Sequence, residues 1–426
     1  MPRSAHADWT PPKRRADPVQ VLIDQGAHRL PGLLPLRYER MRADPFAFLR
    51  GGAAIMAADL AHTPCTGLRT QSCGDAHLAN FGSYAAPDGR PVFDVNDFDE
   101  TLPAPFEWDL KRLATSLVVS ARVQSIGDRQ ARKLARSAAQ AYRVHMADLA
   151  AMAPIDAWSS LIDLRDAVGE IGMVRTRTRI EKRLEAVLTS GADQFGLVEH
   201  AGGHWRIRDR LPLINHVDSH AMQARRVFAS YAKTLQEDRR VLLSRYALKD
   251  LAFKVVGVGS VGTFCAIALL VSEAGAPLLL QIKEAGRSVL APYAGASVYA
   301  NQGQRVVIGQ RMMQAQVDVL LGWTLRPLQG RWFYVRRLKD SRLADIGTMA
   351  AEALPFYAGL CGRTLARAHA RGGDAAAISA YLGHGNAFDS AVAEFASAYA
   401  DQTELDWHRF CDAIVAGRIT ASAIPG

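Results

Sequence analysis

The densest strand signals form one island in this chain of 426 residues. KVVGVGSVG, APLLLQIK and RWFYVRRL, within 251–340, are rich in branched and aromatic residues and bounded by Gly and Pro. Elsewhere the texture is helical. Before the island, WDLKRLATSLVVSARV and RQARKLARSAAQAYRVHMADLAAM place apolar residues at helical spacing. After it, RLADIGTMAAEALPFYAGLCGRTLARAHA and FDSAVAEFASAYADQTELDWHRFCDAI do the same. A chain so divided predicts an α+β fold with a small β unit in a helical frame. The expected organisation is a loose basic arm over 1–20, a helical lobe over 21–250, the β unit over 251–340, and helices returning to the large lobe over 341–426. GLVEHAGGHWRIRDRLP interrupts the first helical stretch and reads as a short hairpin.

Composition narrows the function classes. Hydrophobic residues make up 49% of the chain, which excludes a disordered or collagen-like protein. The formal charge of +9 favours anionic partners. Aromatic residues are not interleaved with the basic runs, which argues against nucleic acid. Five cysteines, none in a C-x-x-C, argue against a disulfide scaffold or zinc ribbon and fit a reducing cytoplasm. No apolar run is long enough to span a membrane, and the first residues lack the apolar core of a secretory signal. The expectation is a cytoplasmic protein with no membrane partner.

The densest chemical signal lies at 74–109. Gly74-Asp75-Ala76-His77-Leu78-Ala79-Asn80 precedes PVFDVNDFDE, which alternates like a strand and ends in acids. SYAAPDGR between them reads as a turn with Asp-Gly at its tip. Crowding Asp94, Asp97, Asp99 and Glu100 on one short strand gains nothing in stability, because like charges repel and buried carboxylates need partners. A hard divalent cation would satisfy them. Mg²⁺ takes one or two carboxylates plus substrate phosphates. Phosphoryl transfer needs an Asp to orient and deprotonate a hydroxyl, and an Asn and a second Asp to hold the metal. Asp75, Asn80 and Asp97 supply that set, with Asp99 a further candidate ligand. His77 is a further catalytic candidate, and could equally hold the loop by hydrogen bonds. Glu107 and Asp109 open the next helix, where a capping or dipole role is expected.

The second signal is Gly257-Val258-Gly259-Ser260-Val261-Gly262, with Lys283 further on in LLLQIKEA. Two readings compete. In a dinucleotide fold TFCAIALLVSE is a helix and Glu284 falls near the ribose-binding position. In a kinase fold the glycines join two antiparallel strands over the phosphates, TFCAIALLV is a strand, SEAGAP a turn, and Lys283 reaches the phosphates. The segment is too apolar for periodicity to arbitrate. The kinase reading also uses Asp75, Asn80 and Asp97, and is preferred on that ground. Arg37, Arg40, Arg42 and Arg50 read as a solvated helix face with possible phosphate or substrate contact, and the 175–183 basic run as solvated surface.

GDAHLAN, NDFDE and EWDLKRLA resemble the phosphotransferase core of aminoglycoside and choline kinases, where G-D-x-H-x-x-N leads to a strand ending in D-F or D-W and then to D-L-A. The runs DPFAFLRG, GDAHLANFG, FDVNDFDET, FEWDLKRLA, NQGQRVV and GQRMMQ are similar to a bacterial family catalogued as domain of unknown function 2252, grouped with the protein-kinase-like superfamily. That likeness extends over nearly all the chain after residue 30. The resemblance implies a bilobed protein-kinase-like fold binding ATP and Mg²⁺. It makes Asp75 the catalytic base, Asn80 and Asp97 metal ligands, Asp109 the brace of the catalytic loop, and Lys283 the phosphate anchor. Gly257, Gly259, Ser260 and Gly262 would cover the nucleotide, and Arg305 would face it. Tyr334 to Arg337 would join the lobes and offer backbone to adenine.

The order is inverted relative to ordinary kinases, because the glycine loop follows the catalytic loop. The arrangement implies circular permutation, and it predicts that residue 372 and Gly74 are neighbours. The usual helix Glu partner of the lysine is also missing. Gln304, Gln310, Gln314, Asp318 or Glu284 are the candidate substitutes. The expected activity is transfer of the γ-phosphate of ATP to a hydroxyl on a small molecule, peptide or protein. A nucleotide-binding pseudokinase, a nucleotidyl transferase and, less favoured, an NAD(P)-dependent oxidoreductase remain alternatives.

Overall fold

Leu134, Ala138, Tyr142, Met146 and Leu149 form one buried stripe along the helix Asp128–Ala151. That stripe is the spacing of a helix with a single apolar face. The helix Leu354–Gly372 packs along it, and the 29-residue helix Ala387–Val415 packs beside it. At the centre lies Phe106–Val123, buried from Phe106 through Ala121. Burial of each large apolar side chain here contributes about 1.5–3 kcal/mol. The computed structural model describes residues 1–86, 88–171, 174–189, 196–216, 218–255, 257–338 and 353–423.

Two short antiparallel pairs sit on this helical core. Strands β1 (Arg69–Ser72) and β4 (Leu102–Pro105) form one, and β2 (Phe81–Ala85) and β3 (Pro91–Val95) form the other. The strand ending in acids is therefore half of a hairpin, and Phe81 pairs with Val95. Strands β5 (Val198–Ala201) and β6 (His204–Ile207) make the expected hairpin in the helical stretch. The main sheet is six-stranded and antiparallel. It contains β7 (Ile214–Asn215), β8 (Tyr246–Lys254), β9 (Cys265–Ser272), β10 (Pro277–Ala285), β11 (Gly322–Trp323) and β12 (Trp332–Arg337), in the order β11-β12-β10-β9-β8-β7.

Strand β9 shows why periodicity could not arbitrate. Ala266, Ala268 and Leu270 face one core with Val227 and Tyr231 of the helix Asp218–Ala232. Ile267, Leu269 and Val271 face another, with Leu197, Val198 and Ile207 from the β5–β6 segment. A strand covered on both faces has no polar alternation. It pairs antiparallel with β8 on one side and β10 on the other. The helix required by the dinucleotide reading is absent from 265–272, and with it the parallel βαβ unit.

Two boundaries differ from expectation. The sheet and its covering helix begin before residue 251, since β7, Asp218–Ala232 and most of β8 belong to them. The 1–20 segment is packed, not loose. His6 is fully buried, Trp9 lies edge-on to Tyr399, and Arg15 bonds Asp59 and Asp406. Its composition suggested solvation because its partners are far away in sequence. The 175–183 run lies on the helix Val174–Thr189, where Arg175, Arg179 and Lys182 are exposed. Of the helix read over 341–372, the part Leu354–Gly372 is present, and 341–352 lie outside the described residues.

Candidate active site

Gly74 starts the loop that carries Asp75. Its φ is +81°, and a Cβ there would run into the carbonyl of Glu100. Both facts require glycine. Asp109 holds the same turn, accepting from Cys73 N at 2.8 Å and Gly74 N at 3.0 Å. It also meets His369 Nε2 at 3.2 Å, and His369 Nδ1 bonds the Tyr142 hydroxyl at 2.9 Å. Asp109 is buried by these contacts, so it positions the loop and does not face the cleft. Gly372 packs against β1, where a Cβ would press on Gln71. Residue 372 and the Gly74 turn are neighbours, as the inverted order predicts.

Asp75 opens onto a cleft of about 880 Å³ between the helical core and the main sheet. Arg112 Nε donates to its Oδ1 at 2.5 Å. Burial raises the Asp75 carboxyl to about 6, with Arg112 working against the rise. His77 lies 3.8 Å from Asp75, while its Nδ1 accepts from Ala79 N at 3.2 Å. That contact makes it a loop-holding residue. Asn80 Nδ2 donates to the Asp75 carbonyl at 2.7 Å, and the Asn80 carbonyl accepts from Asn96 N at 2.8 Å. The β2–β3 hairpin thus sets Asn80 beside the Asn96–Asp97 step.

Across the cleft, Lys283 projects from β10. Its ammonium bonds Asp99 Oδ2 at 2.6 Å and lies 3.7 Å from Asp97. Tyr334 on β12 donates to Asp99 Oδ1 at 2.6 Å, and Ser260 of the glycine turn donates to Oδ2 at 3.1 Å. Burial alone would raise the Asp99 carboxyl, but Lys283 and Tyr334 outweigh it and hold it below the ordinary range. Burial likewise opposes the charge on Lys283, and Asp97 and Asp99 override it, raising its pKa. Asp99 is therefore the lysine's acidic partner. None of the expected substitutes serves: Gln310 bonds Gln314, Gln314 donates to Val95 O, Asp318 accepts from Leu320 N, and Glu284 pairs with Arg331. Gln304 lies on the helix Gln302–Met313, and its backbone N–H is capped by Asn301.

The oxygen donors fit a hard cation only in part. Asp99 is committed on both oxygens, which corrects its expected role as a metal ligand. Asp97 is partly exposed in the cleft, and Asn80 retains its amide oxygen. Among the described residues no cluster of three His, Cys, Asp or Glu side chains could hold a metal unaided. One carboxylate and one amide suit Mg²⁺ that draws its remaining ligands from phosphates and water.

The glycine turn, between β8 and β9, sets Gly257, Gly259 and Ser260 in the cleft wall. Gly262 is turned away, and its carbonyl accepts from Leu30 N at 2.7 Å. Arg305 does not face the cleft. Its guanidinium donates to the carbonyls of Thr101, Asp99 and Gly286 at 2.6–2.8 Å, tying the acidic loop to the end of β10. Tyr334 to Arg337 are interior to the sheet, with β10 on one side and β11 beside Tyr334 and Val335. The expected strand is present, and β10 and β11 together occupy the backbone of Tyr334 and Val335, whereas Arg336 and Arg337 pair only with β10.

The profile described as an uncharacterized protein conserved in bacteria (DUF2252) matches residues 29–413. The chain belongs to the DUF2252 family. No curated protein and no solved structure matches it. In this DUF2252 chain, several site residues escaped sequence reasoning. Arg112 was read only as part of a helix, and Tyr334 as backbone. Arg336, which donates to Asn96 O at 2.9 Å, had no local signal. The N-terminal arginines divide. Arg37 is fully buried and bonds Gly51 O, Arg42 is exposed beside Glu39, and Arg40 and Arg50 line the cleft.

Proposed function

We propose that this DUF2252 protein is an ATP- and Mg²⁺-dependent phosphotransferase on a circularly permuted, kinase-like frame. One observation carries the reading. A single cleft gathers Asp75, Asn80, Asp97 and the glycine turn, with Lys283 bonded to Asp99 at 2.6 Å from the opposite sheet. Asp75, Asn80 and Asp97 come from one stretch of chain, and Lys283 is brought to them on β10. The packing of Gly372 against Gln71, three residues before Gly74, supports permutation, because the helix Leu354–Gly372 then ends close to the strand that leads into the Asp75 loop.

In this reading Asp75 accepts the proton of an acceptor hydroxyl as its oxygen bonds to the γ-phosphorus. The bond from that phosphorus to the ADP oxygen breaks, and ADP leaves with the electron pair. Asn80 and Asp97 would hold Mg²⁺, which when bound offsets phosphate charge. Lys283, oriented by Asp99 and Tyr334, would contact phosphate oxygens. Gly257, Gly259 and Ser260 would lie over them.

The test is stabilisation by ligand. ATP plus Mg²⁺ at a hundred times its Kd should raise the unfolding free energy by about 2.7 kcal/mol. Asp97→Ala should remove most of that gain while the unliganded protein melts as before. Equal stabilisation of both proteins by ATP plus Mg²⁺ would remove Asp97 from metal binding. Stabilisation by NADH alone would overturn the reading.

The pH dependence follows from Asp75. The base acts only when ionised, so kcat/KM should fall as the pH drops through about 6. Arg112 opposes protonation, so Arg112→Gln should move that acidic limb to higher pH. A profile unchanged by this substitution would exclude Asp75 as the titrating base.

A further inference from the structure

The glycine turn reaches from the sheet to the helical core. It joins β8 to β9, yet Val258 in it is buried among helices. Its neighbours are Tyr38 and Met41 of the helix Leu34–Arg42, Phe48 of the helix Pro45–Gly51, and Phe410 of the helix Ala387–Val415. Val261, three residues on, is buried instead in the sheet core with Phe264 and Leu36. The helix Leu34–Arg42 therefore packs on the sheet through Leu36 and on the helical side through Tyr38 and Met41.

The segment just before that helix straps the far end of the turn. Leu30 N donates to Gly262 O at 2.7 Å, and Arg29 Nη1 donates to Val261 O at 2.5 Å. The stem of Arg29 lies on Gly262, whose φ is +91° and where a Cβ would come within 3.0 Å of Arg29 Cβ. The last glycine of the motif is thus required by the strap and its own backbone, not by a ligand.

The turn is also bonded to the cleft floor. Ser260 Oγ donates to Asp99 Oδ2 at 3.1 Å, and the same oxygen takes the Lys283 ammonium at 2.6 Å. A phosphate lying between the turn and Lys283 would displace the Ser260 bond. To lift, the turn must also draw a buried apolar side chain out of its socket, which opposes opening.

We infer that Val258 is a latch: entry beneath the glycine turn is gated by withdrawal of Val258 from its helical socket, and residues 29–42 are the strap that moves with it. That the gated ligand is a nucleotide rests on the phosphotransfer reading. The latch itself stands on the packing.

Hydrogen exchange in the unliganded full chain tests the latch. The reporters are the amides of Leu30, Ser260 and Thr263, bonded to Gly262 O, Gly257 O and Ser260 O. In Val258→Ala all three should exchange about tenfold faster, the effect of two buried methyl groups lost. Amides inside β9 should keep their rates, because the opening is local. An unchanged rate at Leu30 would show that strap and turn move separately, and an equal rise in β9 would show that the variant only loosens the fold. Either result overturns the latch. Stopped-flow association of a fluorescent ATP analogue with Mg²⁺ tests the gate. Only the open turn admits the ligand, so association should be about tenfold faster in Val258→Ala. Equal association rates in the two proteins would overturn the gate. Faster exchange at Leu30 in a protein that binds no nucleotide would instead sink the phosphotransfer reading and leave the latch standing.

Discussion

Asp75→Asn should lower kcat by a factor of about 10²–10⁴, the range for losing a positioned general base. That is about 3–5 kcal/mol of transition-state stabilisation. Nucleotide affinity should scarcely change, because Asp75 is bonded to Arg112 and in the proposed reading meets the acceptor hydroxyl, not the nucleotide. Asn preserves the shape and can still accept from the Arg112 guanidinium, so the fold survives. Single-turnover rates with ATP and Mg²⁺, beside a nucleotide titration, separate the two effects. A variant that keeps about a tenth or more of its activity would take the proton-accepting role away from Asp75.

Asp94→Ala should cost about 3–5 kcal/mol of stability, the penalty for stranding one member of a buried ion pair. Asp94 and Arg367 are both 0% exposed and bond at 2.5 Å. Asp94 also accepts from Val95 N and Ala315 N, so one carboxylate ties β3, the helix Leu354–Gly372 and the segment after Gln302–Met313 together. Replacing both partners, as Asp94→Leu with Arg367→Met, should cost less than the single change, since no charge is then left buried. Urea unfolding of the three variants gives the comparison. A single-variant loss below about 1 kcal/mol would show that water reaches Arg367 when its partner is removed.

The local devices of the site were legible in the sequence. A strand precedes the acids but stops at Val95, residues 83–85 of the expected turn belong to β2, and the lysine strand appears where its branched residues placed it. So does the approach of residue 372 to the Gly74 turn, which the inverted order required. The sequence hid features set by register and by distant partners. Asp97 and Asp99 are two apart and equivalent by spacing, and only the packing of β10 and β12 decides that Asp99 takes Lys283 and Tyr334. Arg112 sits in a helix buried almost throughout, where no polar face marks its direction. Arg305 resembled a ligand-facing cation because its acceptors, backbone carbonyls, leave no trace in residue types. The packed N-terminal segment depended on Asp59 and Asp406, which lie 44 and 391 residues from Arg15 in the chain.

The brace of the Asp75 loop sets an order of events during folding. Asp109 and His369 are 260 residues apart in the chain. Contacts so distant form late, because a long loop must close before they contribute. A ribosome-bound chain can pack the helix Asp128–Ala151 against Phe106–Val123 early, but its apolar stripe is only partly covered until Leu354–Gly372 emerges. During that interval the nascent protein offers chaperones an exposed surface and lacks the contact from His369 to Asp109 that braces the Gly74 turn. Competence in this architecture is therefore a property of the nearly finished chain.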